Sequence, residues 1–172
     1  MLLHTCCGPC FLGVWEDLRN KDLEITNYHF NPNIYPKEEY QRRLDNFRAA
    51  TLGKSKAVVV PEYEPAQYRQ AVRGQGDNFP ERCKYCYRLR LFEAAKFAKE
   101  NNYDAFSTTL LVSPYQDHGA IKKIGEDAAK EFGIKFYYED WRPFFRAGQK
   151  AALEMEIYRQ KYCGCEYSRD FR

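Results

Sequence analysis

The chain has 172 residues, 44% of them hydrophobic and 30% charged, the balance of one soluble globular domain. No apolar run approaches the ~18 residues that a spanning helix needs, which argues against a membrane protein. The net charge of +3 permits a nucleic-acid partner without arguing for one.

The opening MLLHTCC has neither the basic head nor the long apolar segment of a secretory signal, so the expected compartment is the cytoplasm. Leu2 to Thr5 predicts a short first strand. It runs into Cys6-Cys7-Gly8-Pro9-Cys10 and then a helical stretch from Phe11 to Arg19. Leu23 to Tyr28 alternates apolar and polar residues and predicts a second strand. Asn31-Pro32-Asn33 and Tyr35-Pro36 mark a loop. Glu38 to Ala50 predicts a helix with Tyr40, Leu44 and Phe47 on one face. Ala57 to Val60, ended by Pro61, predicts a buried strand. Pro65 to Val72 suits a short helix, and 74–80 reads as a polar loop.

A strong helix is expected from Cys83 to about Lys99. A short strand follows over 104–107 and leads into Thr108-Thr109-Leu110. Ser113-Pro114 opens a loop, and a helix spans His118 to Phe132, closed by Gly133. Lys135 to Tyr138 predicts a fifth strand, and Phe144 to Tyr158 a last long helix before Cys163-Gly164-Cys165. Strands interleaved with helices favour a single α/β domain over 1–172, with a mainly parallel sheet flanked by helices. In such sheets ligands sit beyond the carboxyl ends of the strands. Cys6 to Cys10, Asn31 to Asn33, Thr108-Thr109 and Asp140 all fall just after strands, so one crevice should gather them.

Seven cysteines, an odd number, do not suit a closed disulfide framework. Cys7 and Cys10 form a C-x-x-C between a strand and a helix, the arrangement of a thiol–disulfide oxidoreductase. Cys6 beside it and a second C-x-x-C at Cys83 and Cys86 point instead to a shared metal centre. Two such pairs build a four-thiolate site for zinc or an iron–sulfur cluster. A zinc-stabilised RNA-binding module is therefore an alternative. The five thiols exceed the four that a closed structural site uses, which favours a second metal or an open coordination position. Cys163-Gly164-Cys165 is too tight for half a zinc finger. A disulfide between residues so close would be strained, and strained disulfides tend to be labile or catalytic.

The run Leu3-His4-Thr5-Cys6-Cys7-Gly8-Pro9-Cys10 resembles the opening motif of the QueH family of epoxyqueuosine reductases. The likeness continues through Phe30-Asn31-Pro32-Asn33-Ile34, Glu39-Tyr40-x-x-Arg43, Arg82-Cys83-x-x-Cys86 with Arg88-Leu89, Thr108-Thr109-Leu110, Ser113-Pro114 and Asp140-Trp141-Arg142. It ends with Tyr158-Arg159-Gln160-x-Tyr162-Cys163-Gly164-Cys165-x-Tyr167-Ser168. The resemblance implies an enzyme that removes the epoxide oxygen of epoxyqueuosine in the tRNA anticodon, leaving queuosine and water. It implies a fold like that of adenine nucleotide α-hydrolases (HUP-like), a 4Fe-4S cluster and an external electron donor. Carried over by position, Cys6, Cys7, Cys83 and Cys86 are the expected cluster ligands, and Cys163 with Cys165 a redox-active disulfide. Spacing alone would choose Cys7 and Cys10. Cys10 is then left to hold a second iron beside the cluster.

The remaining candidates follow from residue chemistry. Asp140 could ligate a second metal or donate a proton, or simply pair with Arg142. Tyr28, Asn31 and Asn33 could bind the base or the cyclopentane diol, although Asn-Pro-Asn also suits a turn. Thr108, Thr109 and Ser113 could bind a phosphate or cap the next helix. His4, His29 and His118 read first as core histidines. Basic residues at 42–48, 82–90, 122–123 and 142–150, Arg142 among them, interleave with aromatics as tRNA binding would require.

Overall fold

The computed structural model describes residues 1–75 and 78–169. Five parallel strands form one sheet: β1 (Leu2–His4), β2 (Thr26–Tyr28), β3 (Ala57–Val59), β4 (Ala105–Thr108) and β5 (Lys135–Phe136). Their order in space is β3-β2-β1-β4-β5. The chain therefore builds outward from β1 on one side, then returns to lay β4 on the other. That reversal between β1 and β4 is the topological switch point, where loops diverge and leave a crevice at the carboxyl ends.

Seven helices complete the described chain. They are α1 (Gly8–Leu18), α2 (Lys37–Thr51), α3 (Pro65–Ala71), α4 (Phe79–Glu100), α5 (His118–Phe132), α6 (Phe145–Glu154) and the short α7 (Glu166–Arg169). Strand alternation sends Leu3 into one core with Phe11, Val14, Leu18 and Trp141. Leu2 points the other way, into a second core with Tyr28, Phe106 and the α4 residues Ala94, Ala95 and Ala98. Those small residues let α4 lie close to the sheet, and alanine also favours the helix. Tyr40, Leu44 and Phe47 form the buried face of α2, against Ile34. None of the described helices is long and apolar enough to cross a membrane.

Three expectations need correction. Ala57–Val59 is not a buried strand: it lies at the sheet edge, with Ala57 exposed and its neighbours half-buried. A β-branched run reports strand formation but not rank in the sheet. Of the loop expected over 74–80, residues 76 and 77 lie outside the described residues. Phe79 and Pro80 already form the first turn of α4, where proline is tolerated because its missing N–H has no partner to lose. The expected helix over 144–158 stops at Glu154. Ile157 N–H turns back to the Ala152 carbonyl at 2.8 Å, and Glu156 takes a φ of 53°. The short α7 has no counterpart in the sequence reading.

Where α1 crosses α6, Gly13 and Gly148 meet backbone to backbone. A Cβ on Gly148 would fall 2.5 Å from Gly13 N and 2.7 Å from the Pro9 carbonyl oxygen. This contact holds α6 against the start of α1, where the cysteines lie. Gly148→Ala should cost about 1–3 kcal/mol through overpacking, outweighing the ~1 kcal/mol gained in helix propensity. Thermal unfolding checks this: the midpoint should fall by several degrees, and an unchanged midpoint would contradict so close a crossing.

Candidate metal centre

The β1–α1 turn places three thiols together. Cys7 is the N-cap of α1 and Pro9 stands in its first turn. The sulfurs of Cys6, Cys7 and Cys10 all lie within 4.8 Å of one another, with Cys6 and Cys7 3.7 Å apart. The turn is tied across the switch point to the end of β4. Cys6 N–H donates to Thr109 Oγ1 at 3.2 Å, and the same hydroxyl lies 3.4 Å from the Cys6 sulfur.

A cavity of about 750 Å³ opens over this turn. Cys6 and Cys10 line it from the turn, Cys83 from α4 and Cys163 from the C-terminal segment. Cys7 packs into the core below it. Cys86 is buried beside Cys165, Tyr68 and Val72. All seven cysteines are free thiols. Among the described residues, only the first three sulfurs form a group of three or more at metal-binding separations.

Two buried guanidinium groups form part of the cavity wall, and a third lies beside Cys83. Arg90, 3% exposed, donates to Asn31 Oδ1 at 2.6 Å and lies 3.3 Å from His4 Nε2. Both of these hydrogen-bond partners are neutral; its charge is also felt by Cys86 and Cys6. Arg43 donates to the Glu39 carboxylate at 2.7 Å and to the carbonyls of Cys163 and Tyr162 at 2.9 and 3.1 Å. Arg82 is buried next to Cys83, its guanidinium 4.4 Å from the centre of the Tyr167 ring.

The thiols respond to this setting unequally. Hydrogen bonds from Cys10 and Cys7, helped by Arg90, hold the Cys6 thiol well below its ordinary value against the opposing effect of burial. Cys10 is pushed up by donating to Cys6 and Cys7, and Cys7 by burial. Burial raises Cys86 and moves Cys83 up to about 11. In the C-terminal pair, the hydrogen bond from Cys163 lowers Cys165 to about 5 and raises Cys163 itself. The donor set fits an anionic thiolate-bound centre: soft sulfur ligands, one already favouring the thiolate, with fixed positive charge around them.

Of the other candidates, Asn33 and Ser113 line the cavity. Asn33 is 1% exposed, and its Oδ1 has no hydrogen-bond partner among the described residues. Asn31 sits behind the wall, donating to the Thr5 carbonyl and accepting from Arg90. Thr108 caps the 3-10 turn Thr109–Val112 by accepting from Leu110 N–H, and bonds His4 Nδ1 at 2.8 Å. Tyr28 is a core residue stacked on Phe97. Asp140 and Arg142 are not brought into the cavity. They pair with each other in solvent, and that hydrogen bond lowers the Asp140 carboxyl to about 2. His118 joins Tyr138 nearby.

The sequence reading missed the buried role of Arg43, Arg82 and Arg90, which it grouped with surface charge for tRNA. A signal existed: Cys83, Cys86 and Arg90 recur at i, i+3 and i+7, one face of a helix. It also missed Gln149, Gln160 and Tyr87, which line the cavity, and Phe79 and Tyr115 at its rim, 59% and 79% exposed.

A family model described as epoxyqueuosine reductase QueH matches residues 1–170. Curated relatives of that name are similar over 98% of this chain. The one from Dehalococcoides mccartyi is 34% identical, with 91% of its length covered. The one from Streptococcus pyogenes is 34% identical with 69% covered, and that from Thermotoga maritima 31% identical with 89% covered.

Two buried histidines beneath the cavity give the fold a measurable pH dependence. Burial lowers both His4 and His29 from 6.5 to about 3. His29 is stacked on Phe47 at 4.9 Å. Between those values the unfolded chain binds protons that the folded chain refuses. Stability is therefore whole above pH 6.5 and falls as pH drops toward 3. Each histidine costs about 1.4 kcal/mol per pH unit once well below 6.5. The urea midpoint of the reduced, metal-free protein should be clearly lower at pH 5 than at pH 7.5. Equal midpoints would mean that the two rings are not held neutral.

Proposed function

Because the chain belongs to the epoxyqueuosine reductase QueH family, we propose that it reduces the epoxide of epoxyqueuosine in tRNA to the alkene of queuosine. Two electrons and two protons enter, both carbon–oxygen bonds of the epoxide break, a carbon–carbon double bond forms and water leaves. The observation that carries this reading is the convergence of Cys6, Cys10, Cys83 and Cys163 on one cavity walled by buried arginine. These residues come from three distant parts of the chain.

In this reading Cys6, Cys7, Cys83 and Cys86 hold a 4Fe-4S cluster, and Cys10 stands beside it for a second iron. When bound, the cluster supplies electrons singly, and an iron with an open position supplies a Lewis acid for the departing oxygen. Arg90 and Arg43 offset the negative charge that the thiolates gather. Cys163 and Cys165 store the electron pair: as a dithiol they release two electrons and two protons and become a disulfide, which an external donor reduces again. Cys163 faces the cavity and Cys165 lies behind it, so the pair has one working end and one anchored end.

The substrate has to be recognised as well as reduced. Asn33 offers a desolvated acceptor to a hydroxyl or amine of the modified base, because its Oδ1 lacks any other partner. Ser113, Gln116 and Gln149 add polar groups around it. Phe79 and Tyr115 at the rim suit stacking by neighbouring unpaired bases of an anticodon loop.

The test is anaerobic reconstitution with iron and sulfide, followed by incubation with a chemical reductant and tRNA carrying epoxyqueuosine. The wild type should show a brown cluster absorption and convert the nucleoside to queuosine, read by mass spectrometry. Cys83→Ser should lose both colour and turnover. Retained turnover would refute the role of the cluster. A colourless wild type with one zinc per chain would favour a zinc-stabilised RNA-binding module.

A further inference from the structure

The segment between α6 and α7 carries Gln160 to the cysteine turn. Its Nε2 lies 2.8 Å from the sulfur of Cys7. Its Oε1 is buried and has no hydrogen-bond partner among the described residues. A buried carbonyl oxygen without a donor is costly, so the side chain is held for its other end. With Cys7 an anionic ligand, as the proposed cluster requires, the reverse orientation would set that oxygen against negative sulfur.

The position of Gln160 is fixed on both sides. Tyr158 N–H donates to Asn46 Oδ1 at 2.7 Å, and Tyr158 Oη lies 3.2 Å from both oxygens of Glu39. Beyond it, Arg43 holds the carbonyls of Tyr162 and Cys163, Tyr162 Oη donates to the Tyr35 carbonyl, and Tyr35 N–H donates to the Gly164 carbonyl at 2.8 Å. Gly164 takes a φ of 115°, and a Cβ there would fall 2.8 Å from Arg43 Nη1. Cys7 itself is buried in the larger core, where a polar contact is little screened by water.

We propose that Gln160 is a positioning residue that donates an N–H···S hydrogen bond to Cys7 and thereby raises the reduction potential of the cluster. The proposal rests on the reading of Cys7 as a cluster ligand. Reduction adds an electron whose charge spreads onto the ligand sulfurs. A donor aimed at one of them stabilises the reduced state more than the oxidised one. Removing the donor makes reduction harder, while the ligand itself stays in place.

The test compares wild type with Gln160→Leu and Gln160→Glu, reconstituted anaerobically as the full chain. Iron and sulfide are counted first, and the cluster is then titrated against redox mediators. The leucine variant should be reduced with an equilibrium constant about tenfold less favourable, or about 59 mV for one electron. The glutamate variant should be lower still at a pH high enough to ionise its carboxyl, and should approach the wild type as the pH falls and the acid O–H replaces the amide donor. A fully loaded leucine variant with the wild-type potential overturns the role of Gln160 and leaves the cluster reading intact. A wild type that takes up no iron–sulfur cluster overturns both. A second measurement does not depend on whether the variants load. Wild type with an isotope-labelled glutamine side-chain amide should show nitrogen hyperfine coupling to the reduced cluster. A loaded wild type without that coupling overturns the proposal.

Discussion

The site depends on one guanidinium, that of Arg90, buried where the sheet reverses direction. Burying an ion costs several kcal/mol unless its donors are met and its charge is compensated. Asn31 and His4 supply hydrogen bonds but no negative charge, and Cys86 is a neutral thiol until something ionises it. The cost falls when anionic sulfur gathers nearby, and Cys6 is the first to respond. Burial, helped by the same cation, keeps His4 neutral, so no protonated imidazole competes with the guanidinium groups beneath the cavity. Helix, strand and loop are thereby tied to the electrostatics of the thiols. Before any metal is considered, this arrangement favours the thiolate at Cys6 alone of the first turn, while Cys7 and Cys10 keep their protons.

A second constraint is chain connectivity. The thiols lie at 6–10, 83–86 and 163–165, and a sheet alone cannot unite them. The first set is placed by the β1–α1 turn and pinned by Thr109. The second rides on α4, whose alanine face lets the helix approach the sheet. The third has almost no regular structure of its own. It is held by α2, where Arg43 donates to the Cys163 and Tyr162 carbonyls and Glu39 accepts from Tyr158, and by Tyr35 just before that helix, which accepts from Tyr162. Arg43 is thus a clamp on backbone carbonyls. Lysine could not replace its two parallel contacts, because a single ammonium lacks the planar fork.

Much of this was legible in the residues. The 118–132 helix matches its expected bounds because its apolar residues recur at helical spacing and Gly133 ends it. The cysteine spacings and the strand–helix alternation gave the parallel sheet and its crevice. What failed has a common cause. Burial at a sheet edge, the last turn of a helix and the pairing of one charge are set by tertiary neighbours. Thus Ala57–Val59 is half-exposed because nothing flanks it, and Asp140 is drawn to Arg142 two residues away although it follows a strand. Arg43, Arg82 and Arg90 looked like solvent-facing charge because composition cannot distinguish a cation facing tRNA from one facing sulfur.

The asymmetry of the C-terminal pair bears on the direction of electron flow. Cys165 is buried, and its charge is favoured by hydrogen bonds from Cys163, Ser168 and Tyr68. Cys163 keeps its proton and is the one facing the cavity. In thiol–disulfide exchange the better leaving group is the sulfur of lower pKa. An incoming donor thiolate would therefore attack Cys163 and expel Cys165, whose anion Ser168 and Tyr68 are still placed to stabilise once the Cys163 thiol proton is gone. In the proposed reading the exposed sulfur would meet the partner and the buried one absorb the charge. In that order the dithiol is regenerated beside the cavity, with the working thiol still turned toward the cysteines of the first turn.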